Sequence, residues 1–85
     1  MASEVFIKLS AKRDLEKTDK HIAGRIVDKI LKDLSKIPPD GKPLSGDLHG
    51  FYSYRVGDYR VIYEKIQEGV LVLRVGHRRE IYKNV

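Results

Sequence analysis

Four arginines and one tyrosine in the last third of the chain have the types and spacing to handle a phosphodiester. Arg55 and Arg60 flank Gly57-Asp58, while Arg78, Arg79 and Tyr82 follow an apolar run. Gly57-Asp58 reads as a two-residue hairpin loop with glycine first, as a type II′ turn requires. Counting outward sets Val56 opposite Tyr59, Arg55 opposite Arg60, Tyr54 opposite Val61 and Tyr52 opposite Tyr63. Successive strand residues point to opposite faces, so Tyr52, Tyr54, Val56, Tyr59, Val61 and Tyr63 share one side. Ser53, Arg55, Arg60, Ile62 and Glu64 share the other. Two arginines directly opposed on one face repel; they splay into water, pair with Glu64, or hold an anion between them. The basic, aromatic-tipped tail arriving one strand later favours the anion.

Cutting RNA without a metal needs a base for the 2′-OH proton, donors for the charge on the phosphorane, and an acid for the leaving 5′-oxygen. Arginines supply the donors through forked hydrogen bonds, each worth roughly 3–4 kcal/mol by analogy with oxyanion-hole donors. A tyrosine titrates near 10 and neighbouring positive charge lowers that, so Tyr82 is either a candidate base or a tail aromatic closing the core's edge. DNA, lacking the 2′-OH, does not serve this chemistry. His21, His49 and His77 lie far apart, with no cysteine or paired-carboxylate spacing beside them, so neither a metal nor another cofactor is expected. His77 alone sits within the arginine cluster, where it is a candidate contact to phosphate or base. Glycine-rich phosphate loops and nucleophile elbows are absent.

The 85 residues carry a net charge of +5, an excess that suits a polyanion or an acidic protein. Residues 1–50 hold ten Lys/Arg against eight Asp/Glu, an even and lysine-rich mixture that reads as a solvated helical face. Residues 51–85 hold seven against four, and five of those seven are arginine. The length predicts a single domain over 1–85. Without cysteine there is no disulfide or thiolate chemistry, and a reducing cytoplasm is the expected home. Lys8 breaks Val5-Phe6-Ile7 before a signal-type apolar segment forms, and no run approaches the roughly 20 apolar residues that span a bilayer. No membrane association is expected.

The elements that must position these groups follow from periodicity. Residues 5–9 read as a short strand, with Ser10 as cap of a helix from Ala11. Asp19 caps a longer helix in which Ile22, Ile26, Val27, Ile30, Leu31, Leu34 and Ile37 recur at three- and four-residue steps, until Pro38-Pro39 stops it. Residues 38–49 read as a loop rich in turn formers. Strands at about 50–56, 59–66 and 70–76 follow; the last is apolar on both faces, which leaves the direction of Arg74 open. The predicted class is α+β, in the order β-α-α-β-β-β, with a helical hairpin on one face of a mostly antiparallel four-stranded twisted sheet. Ile26, Ile30 and Leu34 meet the tyrosine side of that sheet, and the side carrying Arg55 and Arg60 stays open.

Arg55-Val56-Gly57-Asp58-Tyr59-Arg60-Val61-Ile62-Tyr63, taken with Val75-Gly76-His77-Arg78-Arg79-Glu80-Ile81-Tyr82, resembles the RelE/ParE toxin superfamily, nearer its RelE side. The resemblance extends over nearly the whole chain, including Pro43-Leu44-Ser45-Gly46 before the strand. It implies a microbial-RNase-like core and a bacterial or archaeal toxin, held inactive by a cognate antitoxin, that enters the ribosomal A site and cuts mRNA by 2′-OH attack. By position, Arg55 falls on a phosphate-binding or base residue, Arg60 on the arginine that stabilises the transition state, and Arg78 on a tail arginine near the leaving group. Tyr82 falls on the C-terminal tyrosine that orients or deprotonates the nucleophile. Ser53, His77, Arg79 and Lys83 are the expected substrate contacts. Ser53 stands where the best-known member carries a second lysine, which leaves the identity of the base open. Two other readings belong to the same fold: a ParE-like toxin that poisons gyrase without cutting RNA, and a basic ribosome- or RNA-binding relative with weak or no catalysis.

Overall fold

A computed structural model describes residues 3–81. Strand β1 (Glu4–Ile7) leads into helix α1 (Leu9–Glu16) and helix α2 (Lys20–Asp33). After them come the two-residue strand β2 (Lys42–Pro43), a 3-10 turn (Gly46–Leu48), and strands β3 (Phe51–Val56), β4 (Tyr59–Ile66) and β5 (Gly69–His77). The sheet order is β1-β5-β4-β3-β2, with β1 parallel to β5 and the other pairs antiparallel. The α+β class stands, but the sheet has five strands rather than four. The extra one, β2, lies inside the segment expected to be loop.

The β3–β4 hairpin has the register counted from its turn: Val56 faces Tyr59, Arg55 faces Arg60, and Tyr52 faces Tyr63. Gly57 sits at φ +58, and among the described residues only glycines take a positive φ, which fits glycine at the first position of a type II′ turn. Tyr54, Val56, Val61 and Tyr63 pack with Ile26, Ile30 and Leu34 of the α2 region in one core, joined by Ala11 of α1 and by Val70, Val72 and Val75 of β5.

Strand β5 breaks its own alternation. Ile62 pairs with Arg74 but Tyr63 pairs with Val72, so Leu73 is an extra residue, a β-bulge. The bulge keeps both Val72 and Val75 in the core and turns Arg74 the other way. There its guanidinium meets Asp14 of α1 at 2.9 Å. Because β1 covers only the first half of β5, the second half needs other partners. Helix α1 provides them: the Ser10 hydroxyl donates to the Leu73 carbonyl at 2.7 Å, and the Asp14 carboxylate accepts from the Val75 N–H at 2.9 Å. Ser10 therefore serves the sheet edge instead of capping the helix, which begins at Leu9 with no side-chain cap. Burial alone would raise the Asp14 carboxyl, but the Arg74 and Val75 hydrogen bonds outweigh it and hold the group below its ordinary value.

Asp19 caps α2 as expected, accepting from the His21 and Ile22 N–H groups. The helix closes at Asp33, and the Ser35 hydroxyl donates back to the Leu31 carbonyl, a local bond that competes with helix propagation. The apolar stripe is accordingly narrower than its sequence, and Ile37 is 68 % exposed. Among the described residues no helix is long and apolar enough to cross a membrane.

Candidate active site

Period two along β3 and β4 carries Ser53, Arg55 and Arg60 to the side of the sheet away from the helices. Arg55 and Arg60 are direct cross-strand partners, which holds their Cβ atoms roughly 5 Å apart. The Arg55 Nε donates to the Gly57 carbonyl at 3.1 Å, curling that side chain against its own turn. Among the described residues no carboxylate forms an ion pair with Arg55 or Arg60, and Glu64 is not the counterion considered from sequence. Arg55 and Arg60 both line an open groove of about 670 Å³, whose far wall is the 40–44 segment with Lys42. Asp40 is the carboxylate at its rim, and it is held by the Lys36 ammonium at 3.2 Å.

That far wall is built from the helix side of the sheet. Tyr63, fully buried, donates its hydroxyl to the Asp40 carbonyl at 2.7 Å. Gly41, at φ +130, lies so close that a Cβ there would stand 2.7 Å from the Tyr63 hydroxyl and 3.1 Å from the Ser53 carbonyl oxygen. Only glycine lets the chain pass here. The Asp40 N–H donates to the Asp33 carbonyl at 3.1 Å, and the Leu44 N–H to the Phe51 carbonyl at 2.9 Å. Tyr54 donates to the Asp33 carboxylate, completing a brace between α2, the loop and the sheet. Burial pushes the Tyr63 phenol up to about 12, with the tyrosine Tyr52 and the acid Asp40 adding to it. Burial and then the bond to Asp33 push Tyr54 up further. Both phenols stay protonated near neutrality and face the helices, so neither is a base for chemistry in the groove.

The segment after β5 comes back toward the hairpin. The Arg78 N–H donates to the Asp58 carbonyl at 2.9 Å, tying this segment to the loop between Arg55 and Arg60. Ile81 is buried over Gly76, the cross-strand partner of Arg60, with its Cδ1 3.0 Å from where a Cβ of residue 76 would lie. Ile62 is also fully buried yet stands outside the helix-side core. The arginine side is therefore not open along its whole length, as sequence suggested, but covered beside β5 and open beside β2.

Ser53, Arg55 and Arg60 are thus brought to one groove. Arg78 is exposed and tethered at the hairpin tip, and Arg79 is exposed in the following turn. His77 is not brought to the groove: it pairs with Tyr59 on the other side, its ring edge-on to that tyrosine with centroids 5.7 Å apart, and its Nδ1 accepts from the Arg79 N–H. Tyr82 and Lys83 lie outside the described residues. Sequence reasoning missed Lys42. A two-residue strand shows no periodicity, and Gly41 before Lys42-Pro43 was the sole local signal of a close backbone approach.

A β1-α1-α2 start, this sheet order and an arginine-lined groove define a small basic α+β fold, and comparison with known proteins gives its family. The family model described as "ParE toxin of type II toxin-antitoxin system, parDE" matches residues 5–82. The chain belongs to the RelE/ParE family of type II toxin–antitoxin toxins. It is 42 % identical over 77 residues to toxin RelG of Mycobacterium tuberculosis, covering 87 % of this chain and 88 % of that protein. Toxin RelE of the same organism is 37 % identical over 83 residues, covering 93 % and 84 %. Among solved structures, the RelBE2 toxin–antitoxin complex of M. tuberculosis superposes with a TM-score of 0.83 at 37 % identity, covering 92 % of this chain and 93 % of that one.

Proposed function

We propose that this chain is the RelE-type toxin of a toxin–antitoxin pair: a ribosome-dependent endoribonuclease that cuts mRNA in the A site. The observation that carries this reading is the pair of cross-strand arginines, Arg55 and Arg60, lining one groove without a carboxylate partner among the described residues. Such a pair suits a dianionic phosphorane. The 2′-oxygen loses its proton to a base, attacks phosphorus, and the bond to the 5′-oxygen breaks as that oxygen is protonated. A 2′,3′-cyclic phosphate and a free 5′-hydroxyl result. Arg60 and Arg55 donate to the non-bridging oxygens as charge accumulates there. Arg78, tethered to the hairpin loop, serves the leaving oxygen. Tyr82, as the phenolate, takes the nucleophile's proton, since a charged guanidinium that donates to the phosphate has no lone pair to accept it. The names of the relatives, RelG and RelE, and the RelB–RelE complexes among the structural neighbours support both the branch and a cognate antitoxin partner; we place the pair in the cytoplasm, where ribosomes translate.

The ParE name of the family model favours a second reading, gyrase poisoning without RNA cleavage. The unpaired arginines argue for the nuclease, since a non-catalytic inhibitor has no need of them. Primer extension on mRNA under translation tests the proposal: cleavage within A-site codons is expected, reduced by Arg60→Ala and Arg78→Ala. Uncut mRNA with wild-type protein, or full cleavage by the double variant, overturns it, and inhibition of supercoiling by the purified protein would then favour the second reading.

A further inference from the structure

We infer that Lys42 is a further substrate-binding residue, a phosphate-binding cation reaching the groove from β2. Three observations lead there. First, Lys42 is the direct cross-strand partner of Ser53, and partners in an antiparallel ladder share a face, so Lys42 stands on the side that carries Arg55 and Arg60. Second, it lines the same groove as those arginines, and among the described residues its ammonium forms no ion pair. Third, its backbone is held from both ends. Tyr63 fixes the Asp40 carbonyl, Gly41 threads against Tyr63 and Ser53, and the Leu44 N–H bonds the Phe51 carbonyl. An exposed lysine on a free loop is a solvated charge; one braced by a fully buried tyrosine is presented at a fixed place.

Spacing assigns its ligand. Lys42 lies two strands from Arg60 and offset by two residues, about 12 Å between Cβ atoms from ordinary sheet dimensions. Long side chains at that separation span neighbouring groups of one strand better than they crowd a single anion. Lys42 therefore takes the phosphate next to the one bracketed by Arg55 and Arg60, setting the register of single-stranded RNA along the groove. This is electrostatic positioning, with no proton transferred.

The inference rests on the RNA-cleaving reading, and the experiment separates the two. The probe is a ribosome programmed with mRNA, either natural or 2′-deoxy at the cut position so that it binds without being cut. Lys42→Gln is expected to weaken binding of the uncuttable complex and to lower the slope of log affinity against log salt by about one, as loss of one phosphate contact does. On natural mRNA it raises the toxin concentration for half-maximal cleavage while leaving the saturated rate within about twofold. Lys42→Arg keeps the charge and restores the slope. Moving the cation to the facing position, Ser53→Lys with Lys42→Gln, restores it in part, which a purely structural role for Lys42 does not allow. Equal affinity and equal slope for wild type and Lys42→Gln overturn the inference while leaving cleavage intact. Loss of slope in a protein that never cuts keeps Lys42 as a phosphate contact and removes the nuclease. A wild-type protein that does not bind the programmed ribosome overturns both.

Discussion

The two faces of the β3–β4 hairpin are made by the same two strands read in alternation, yet they treat polar groups in opposite ways. Toward the helices, Tyr54 and Tyr63 are buried and each hydroxyl has a named acceptor, the Asp33 carboxylate and the Asp40 carbonyl. Away from the helices, Arg55 and Arg60 stand opposed, with no carboxylate paired to either among the described residues. The first arrangement stabilises the fold, because a buried donor without an acceptor costs about 1–3 kcal/mol. The second works against it slightly, since like charges directly opposite destabilise a ladder. Water solvates these solvent-accessible donors in the free protein, and an external anion can take its place. The faces are not independent, however: Tyr63, on the folding side, fixes the loop that forms the groove's far wall on the other.

Mutations on the two faces should consequently fall into different measurements. Tyr63→Ala has the largest expected effect, a loss of about 3–5 kcal/mol of stability from the emptied core, read by chemical denaturation. Retained stability would mean the 40–44 wall is held by something other than Tyr63. Arg60→Ala comes next. It should lower cleavage by about 10²–10³-fold, the cost of removing one donor to a developing oxyanion, while stability stays the same or rises by a few tenths of a kcal/mol as the repulsion with Arg55 is relieved. A loss of stability comparable to that of Tyr63→Ala would erase the distinction between the faces.

The helix side should also set the pH limits of the fold. The Tyr54 hydrogen bond holds the Asp33 carboxyl below its ordinary 3.8, so its contribution is complete above that pH and disappears as pH falls through the lowered folded value. The Tyr63 phenol moves the other way, up to about 12 from 10.0. Its contribution is complete below pH 10 and is lost as pH climbs from there toward 12. The urea midpoint should decline at both ends, and Tyr63→Phe should flatten the alkaline decline; an unaltered alkaline limb would contradict the assignment. The smallest effect is expected at the start of α2, where Asp19→Ala removes a cap worth about 1 kcal/mol. It should lower the melting temperature by a few degrees without touching cleavage by the folded protein.

Sequence made one part of this molecule plain and hid another, for identifiable reasons. The hairpin was legible because Gly57 pins the turn and period two does the rest, which brought Ser53, Arg55 and Arg60 together correctly. The core stripe of α2 was legible from Ile26, Ile30 and Leu34. Strand β5 was not, because the bulge at Leu73 breaks the alternation on which the reading depends and Arg74 turns to Asp14, 60 positions away in the chain. His77 looked like part of the basic cluster by proximity in sequence, but the strand's pleat carries it to Tyr59 instead. Ser10 has the chemistry of a cap and is used by a strand edge that no local pattern reveals. Lys42 depends on two long-range facts, the Tyr63 bond to Asp40 and the pairing with Ser53, neither of which leaves a trace in neighbouring residues.

In the proposed reaction the cross-strand arginines serve attack by a ribose 2′-oxygen. The most direct measurement is cleavage by the wild-type protein of ribosome-bound mRNA that carries a single 2′-deoxy substitution immediately 5′ of the cut. This one missing hydroxyl should abolish cleavage at that bond, and the unsubstituted message should yield a 2′,3′-cyclic phosphate end. Equal cutting of the two messages would contradict it.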